Sequence, residues 1–355
     1  MRHYSSDPAT GAEQTQNRTA ATNPEIANPP ALLEVRNLSM SFGLGQSGLL
    51  AIDKVSFAVK PGEILGLVGE SGSGKSITLR SVLGLTRRYG RVNGEILWKN
   101  RDLNKLNNRD LQKIRGREIA MIFQEPMSSL NPLLSVGLQI TENLRAHTGL
   151  GRAERRKKAI KLLDLVGIPS AAARLGDYPH QFSGGMRQRV MIAIALASEP
   201  ELLLADEPTT ALDVTIQQQI LDLILALSRE MGMSVIMVTH DLGVAAQTCD
   251  RIAVMYGGRL VEVGPVRNIL RNPQHPYSIG LLRSVPENVP PRSELYSLPG
   301  IPPGLGNRPS GCCFAPRCPV ATARCAVEKP DLFQSGEKVS LACFNPQNLL
   351  SGTPQ

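Results

Sequence analysis

Aromatic residues are scarce in this chain, at 4% with a single Trp, and the basic residues are not interleaved with them. That arrangement lacks the stacking platform of a single-strand nucleic-acid binder, so no nucleic-acid partner is expected. Long apolar runs are missing too. The longest, VMIAIALA (190–197), falls far short of the roughly 18–20 residues that a spanning helix needs. The opening MRHYSSDPATGAEQTQ has no apolar core of a secretory signal. The expectation is a chain that stays in the cytosol, where stable disulfides are disfavoured. Cysteine is sparse, six in all, yet four of the six crowd into GCCFAPRCPVATARC (311–325).

What is present fits a globular protein. The chain has 355 residues, 42% apolar and 20% charged, enough for one large domain with extensions. Its formal charge of +8 favours an anionic partner such as a nucleotide, nucleic acid or a lipid surface, and names none of them. Residues 1–31 are rich in Ser, Thr, Asn, Ala and Pro and read as a disordered arm. From Leu32 the pattern alternates as strands do in LLEVRNLSMSF and AIDKVSFAV, and ILGLV (64–68) reads as a strand buried on both faces. From about Arg101 to Tyr178 the pattern turns to charged, helix-period segments. The basic cluster Arg152, Arg155, Arg156, Lys157 and Lys158 there reads as the solvated face of a helix whose other face carries Ile160, Leu163 and Val166. VMIAIALA reads as a buried helix, and ELLLAD and SVIMVTHD as buried strands. Strands alternating with helices predict an α/β fold around a mostly parallel sheet, with a helical insertion. Seven prolines in 286–309 exclude a regular helix or central strand there, and the cysteine-rich segment follows.

GESGSGKS (69–76) fits G-x-x-x-x-G-K-[ST] and follows the buried strand ILGLV. Gly69, Gly72 and Gly74 let successive backbone N–H groups face one phosphate, with Ser71, Ser73 and Thr78 in the same nucleotide-binding set. Lys75 supplies a charge for the β/γ-phosphates, and the Ser76 hydroxyl can ligate Mg²⁺. The helix that opens there adds its positive N-terminal end. ELLLADEP (201–208) ends a strand in Asp206, a candidate Mg²⁺ partner, and Glu207, a candidate general base for an attacking water.

FSGGMRQR (182–189) resembles the signature motif of ATP-binding cassette (ABC) ATPases, with Phe182 and Met186 as departures from its usual LSGGQ. The resemblance covers roughly 32–282. It implies a P-loop ABC nucleotide-binding domain with a helical subdomain at about 101–182, and an irregular Cys-rich extension over 283–355. It also implies roles. Phe42 stacks on adenine. Gln124, in MIFQEP, touches Mg²⁺ and the attacking water. Asp213, in ALD (211–213), crosses a dimer interface, and His240, in VTHD, contacts the γ-phosphate. Ser183, Gly184 and Gly185 face the nucleotide of the opposing subunit, so one chain cannot complete a site alone. With Asp206, Glu207 and Ser183 in place, the chain is expected to hydrolyse ATP.

Two further segments resemble the oligopeptide/dipeptide importer branch, which also contains nickel importers: FQEPMSSLNPLLSVGLQI (123–140) and HPYSIGLLRSVP (275–286). That resemblance implies an ATPase at the cytoplasmic face of the membrane, with a second, different ATPase subunit in a heterodimer, two permeases and an extracytoplasmic solute-binding protein. Rival readings are a soluble ABC ATPase acting on nucleic acid or ribosomes, which would bring a second cassette or a long coiled coil, and a soluble ATPase with an iron–sulfur regulatory tail. The tail cysteines Cys312, Cys318, Cys325 and Cys343 are spaced C-x5-C-x6-C-x17-C, without the close pairs usual for zinc. A [4Fe–4S] cluster, zinc and metal-free thiols all remain open from spacing. G-C-x-F-x-P-R-C-P resembles the extension of peptide-importer cassettes, some of which bind such a cluster, and that match selects Cys312 over Cys313.

Overall fold

The computed structural model describes residues 30–43, 48–125, 129–210, 212–285, 296–336 and 338–347. The expected arm apart from Pro30 and Ala31, residues 126–128 of the FQEP segment, Ala211, and Pro286, Pro290 and Pro291 of the Pro-rich stretch lie outside the described residues. The chain from Ala31 to Gln355 forms one compact unit.

Among the described residues the strands are β1 (Leu33–Phe42), β2 (Leu49–Val59), β3 (Ile64–Val68), β4 (Gly90–Trp98), β5 (Arg101–Asp102), β6 (Ile119–Ile122), β7 (Leu202–Asp206), β8 (Ser234–Thr239), β9 (Arg251–Tyr256), β10 (Arg259–Pro265), β11 (Phe333–Gln334) and β12 (Ser340–Leu341). They make two sheets. An antiparallel one runs β2-β1-β4-β5, and a mixed one runs β11-β12-β10-β9-β3-β8-β7-β6. β6, β7, β8, β3 and β9 are mutually parallel. Every residue of β3, β7 and β8 is buried. That is why these segments read as continuous apolar runs, where the one-sided β1 alternates.

The apolar residues fill three cores. One lies between the parallel strands and the helices Val136–His147, Arg152–Leu165, Gly184–Leu196 and Val214–Met231. A second lies between the two sheets. A third sits under the C-terminal region around Tyr256, Tyr277 and Phe314. The helical stretch is narrower than the sequence pattern suggests. β6 pairs in parallel with β7, so residues 119–122 belong to the main sheet. Four apolar residues carry no period long enough to tell strand from helix.

The extension is also less irregular than its prolines suggest. Its strand β12 pairs antiparallel with β10, β11 pairs with β12, and Ala323–Val327 is helical. The sheet therefore continues into the tail. The join is anchored by Glu262, which is fully buried and accepts the backbone N–H groups of Gln274 at 2.8 Å and His275 at 3.2 Å.

Candidate active site

The parallel strands β3, β7 and β8 end side by side, and the loops that leave them carry the polar residues. Ligands of open α/β sheets bind at this carboxyl edge. After β3 the chain turns through Gly72 and Gly74, whose φ of 77° and 107° suit glycine. A Cβ on Gly69 would collide with the Met255 carbonyl, so the loop can lie against β9 only with glycine there. The Ser73 carbonyl accepts from Gly258 N–H at 2.9 Å, which ties the loop to the β9–β10 turn. The helix Lys75–Val82 then begins with Gly74 at its N-cap.

Lys75 is buried, and its ammonium donates to the carbonyls of Gly69 at 2.7 Å and Glu70 at 2.9 Å. Burial lowers its pKa, against the pull of Glu207, Asp206 and Glu70. The Ser76 hydroxyl donates to Asp206 Oδ1 at 2.7 Å. Asp206 is fully buried, and burial raises its pKa although Ser76 and Arg80 oppose the rise. Its Oδ2 is buried with no hydrogen-bond partner; the nearest cation, Arg80 Nη2, stands at 3.8 Å. A serine hydroxyl beside a carboxylate with an orphaned oxygen is a donor set that fits Mg²⁺.

Glu207 gathers the other residues. Its Oε2 accepts from Gln124 Nε2 at 3.1 Å and from the Thr210 hydroxyl at 2.8 Å, and lies 3.7 Å from His240 Nδ1. Its backbone is in the left-handed region, φ 48°, which costs a non-glycine residue about 1–2 kcal/mol. Backbone hydrogen bonds hold it there, from its own N–H to Val238 O and from Thr210 N–H to its carbonyl. Ser71 is exposed at the loop tip, and Thr78 is spent inside the helix, donating to Gly74 O at 2.9 Å.

Other expected residues stand apart from this group. Ser183 caps the helix Gly184–Leu196 by accepting from Met186 N–H at 3.3 Å. Gly184 and Gly185 lie against Leu212 and Ile216, and none of the contacts described joins them to the phosphate loop. Asp213 is exposed at the start of Val214–Met231, with no capping bond from its side chain, next to an 84% exposed Val214. Phe42 is half-buried against the core between the two sheets.

Sequence reasoning missed Thr210 and Arg80. Thr210 lies three residues beyond Glu207, within reach of its carboxylate across a turn. Arg80 sits four residues past Ser76 on one helix, hence on the same face, which was a usable signal.

In the tail, Cys312, Cys318, Cys325 and Cys343 line one cavity, while Cys313 points elsewhere, its thiol 3.8 Å from Gly257 O. Burial pushes the Cys343 thiol up to about 11, and the other three cysteines add to the rise against the Asn345 backbone N–H. Four thiolates there would need a cation to balance them, so the donor set suits a metal group. The space does not suit it as it stands. The cavity offers about 10 Å³, room for roughly one water. Among the described residues no three His, Cys, Asp or Glu are grouped to hold a metal ion. The convergence of the thiols is thus all that the geometry offers to a cluster or to zinc.

A phosphate loop, an adjacent strand-end acid pair and a detached Ser-Gly-Gly helix start define a P-loop ATPase of the cassette type. Comparison with known proteins agrees. The ABC transporter family profile matches residues 52–210, and that of the oligopeptide/dipeptide transporter C-terminal region matches 261–325. The dipeptide transport ATP-binding protein DppD of Haemophilus influenzae is 49% identical over 319 residues, 90% of this chain and 96% of that one. The oligopeptide transport ATP-binding protein OppD of Salmonella typhimurium is 46% identical over 329 residues, 92% of this chain and 97% of that one. A solved dimeric ATP-binding cassette in a post-hydrolysis state with ADP and Pi is 32% identical, with a TM-score of 0.60, over 66% of this chain and 99% of that one. The chain belongs to the ATP-binding subunits of ABC transporters, in their oligopeptide/dipeptide branch, and is an ATPase.

Proposed function

We propose that this ATPase powers uptake of di- or oligopeptides through a membrane transporter, with two permeases, a second ATPase subunit and a solute-binding protein on the far side. The observation that carries the reading is the joining of two parts in one unit: a cassette catalytic group and a C-terminal region of the peptide-transporter type at 261–325. No described helix is long and apolar enough to cross a membrane, so attachment falls to the permeases.

The site's chemistry follows from its residues. Backbone N–H groups of 69–76 and the Lys75 ammonium hold the β/γ-phosphates, with Lys75 aimed by the Gly69 and Glu70 carbonyls. Ser76 and Asp206 would hold Mg²⁺, which when bound neutralises charge on the β- and γ-phosphate oxygens. Glu207 takes the proton of the attacking water, while Gln124 and Thr210 fix its carboxylate and His240 stands over the γ-phosphate end. Ser183, Gly184 and Gly185 serve the partner subunit's nucleotide, Asp213 with the exposed Val214 belongs to that interface, and Phe42 meets adenine.

The four tail cysteines are the ligands of a [4Fe–4S] cluster in this reading, one thiolate per iron. Their lining of one shared cavity is what supports it. The cluster's part is structural, holding together a lobe with few apolar residues.

Membrane extraction of the tagged chain from its native cells tests the transporter reading. Two integral-membrane permeases and a second ATPase should co-purify, and reconstituted vesicles should accumulate peptide at the expense of ATP. Recovery of ribosomes or nucleic acid instead would refute it, and accumulation of nickel but not peptide would move the chain to the other solute class of the branch.

A further inference from the structure

Glu70, the second residue of the phosphate loop, is gripped from two sides by the C-terminal region. Its backbone N–H donates to the hydroxyl of Tyr277 at 2.8 Å. Its carboxylate accepts both arms of the Arg317 guanidinium, at 2.7 Å and 3.1 Å. Its carbonyl accepts from Lys75. Tyr277 is fully buried and Arg317 is 7% exposed, so neither is a surface residue that happens to reach over.

Arg317 spends all five of its N–H donors. Besides Glu70 it meets Pro299 O at 2.7 Å, Leu298 O at 3.4 Å and the Tyr256 hydroxyl at 3.2 Å. It sits next to Cys318, five residues past Cys312, and its guanidinium lies 5.7 Å from the centre of the Tyr256 ring. Tyr277 is placed with equal care. His275 Nδ1 accepts its backbone N–H at 3.0 Å, and its ring packs on Tyr256 and Phe314 at 4.6 Å and 5.4 Å. The HPY and APRC segments of the sequence thus converge on one loop residue.

Two physical consequences follow. The loop owes its shape to Gly69, Gly72 and Gly74, residues with little conformational preference of their own, so external contacts decide which shape it holds. Glu70 also brings a negative charge, felt at Lys75, to a loop that must accept a triphosphate. A bidentate guanidinium both fixes that carboxylate and cancels its field.

We propose that Tyr277 and Arg317 are positioning residues for ATP binding: the cysteine-bearing lobe holds the phosphate loop open for nucleotide through Glu70 and masks its charge. This rests on the ATP-site reading above. Glu70 itself is the lever, and loss of order in the lobe would reach the nucleotide through it.

The test measures affinity for a fluorescent ATP analogue, and KM and kcat for ATP, in the full chain with its transporter partners. Arg317→Met should raise the dissociation constant about tenfold, the size of one lost charge-assisted pair, with the loss falling on KM more than on kcat. Tyr277→Phe, which removes one oxygen and keeps the packing, should raise it about threefold. Adding Glu70→Gln to Arg317→Met should recover most of the loss, because it removes the unmasked charge; a packing defect would not be rescued. Variants that melt like the parent and bind ATP with parental affinity overturn the proposal, as does a double variant no better than Arg317→Met. If Arg317→Met does not fold, parental affinity in Tyr277→Phe alone overturns it. Failure of the parent chain to bind ATP would instead refute the ATP site.

Discussion

The catalytic edge and the cysteine lobe both carry dense motifs, yet they are built by opposite means. At the catalytic edge, parallel strands from distant parts of the chain end together, and the functional groups already hold one another: Ser76 on Asp206, Gln124 and Thr210 on Glu207, Lys75 on two carbonyls. The lobe gathers four thiols around a cavity of about 10 Å³, and among its described residues the regular structure is one short α-helix, one 3-10 turn at Ala315–Arg317 and two two-residue strands at the end of a borrowed sheet. One region is prepared by its own core. The other brings four thiols together around one small cavity.

The largest effect should come from breaking the prepared side at its most specific point. Glu207→Gln keeps the shape and the hydrogen-bond reach of the side chain but removes the base. ATP turnover should fall by about 10²–10⁴-fold while ATP binding survives, leaving a long-lived ATP-bound dimer. Turnover at the parental rate would remove Glu207 from the chemistry.

In the lobe the same logic gives an all-or-none contrast. Anaerobically prepared protein should be brown with about four irons per chain. Replacing Cys312, Cys318, Cys325 or Cys343 by Ala should remove the colour and most of the iron. Cys313→Ala should keep both, because that thiol faces Gly257 outside the cavity. Colourless, iron-free parent protein would rule out the cluster and leave the lobe with zinc or metal-free thiols.

The two regions also differ in how far the sequence discloses them. The phosphate loop, the Asp206–Glu207 pair and their strands are local patterns: a glycine spacing, an apolar run, two acids at its end. Gln124 and His240 have no such local pattern. Their place beside Glu207 comes from the order of β6, β7 and β8, and a resemblance supplied it. Thr210 was invisible because a threonine after a strand has many ordinary uses. The lobe's strand β12 was hidden for a different reason, since two residues carry no period. Arg317 stood in plain view between cysteines, but nothing local says that its partner lies at residue 70.

The smallest effect tests whether the catalytic edge is kept ready at the expense of stability. Asp206 is fully buried, its Oδ2 lacks a hydrogen bond, and burial raises its pKa above that of the unfolded chain. A carboxyl raised in the folded state binds more protons folded than unfolded. Its contribution to stability therefore declines as pH rises from the unfolded value near 3.8 through the raised folded value, and the penalty is complete above it. Asp206→Asn should relieve that penalty. The nucleotide-free variant should be more stable than the parent by about 1–3 kcal/mol at neutral pH, with the difference shrinking toward pH 4, while Mg²⁺-dependent hydrolysis is lost. Denaturant titrations of both proteins at several pH values measure this. Equal or lower stability of the variant at neutral pH would mean that Arg80, at 3.8 Å, already compensates the buried charge.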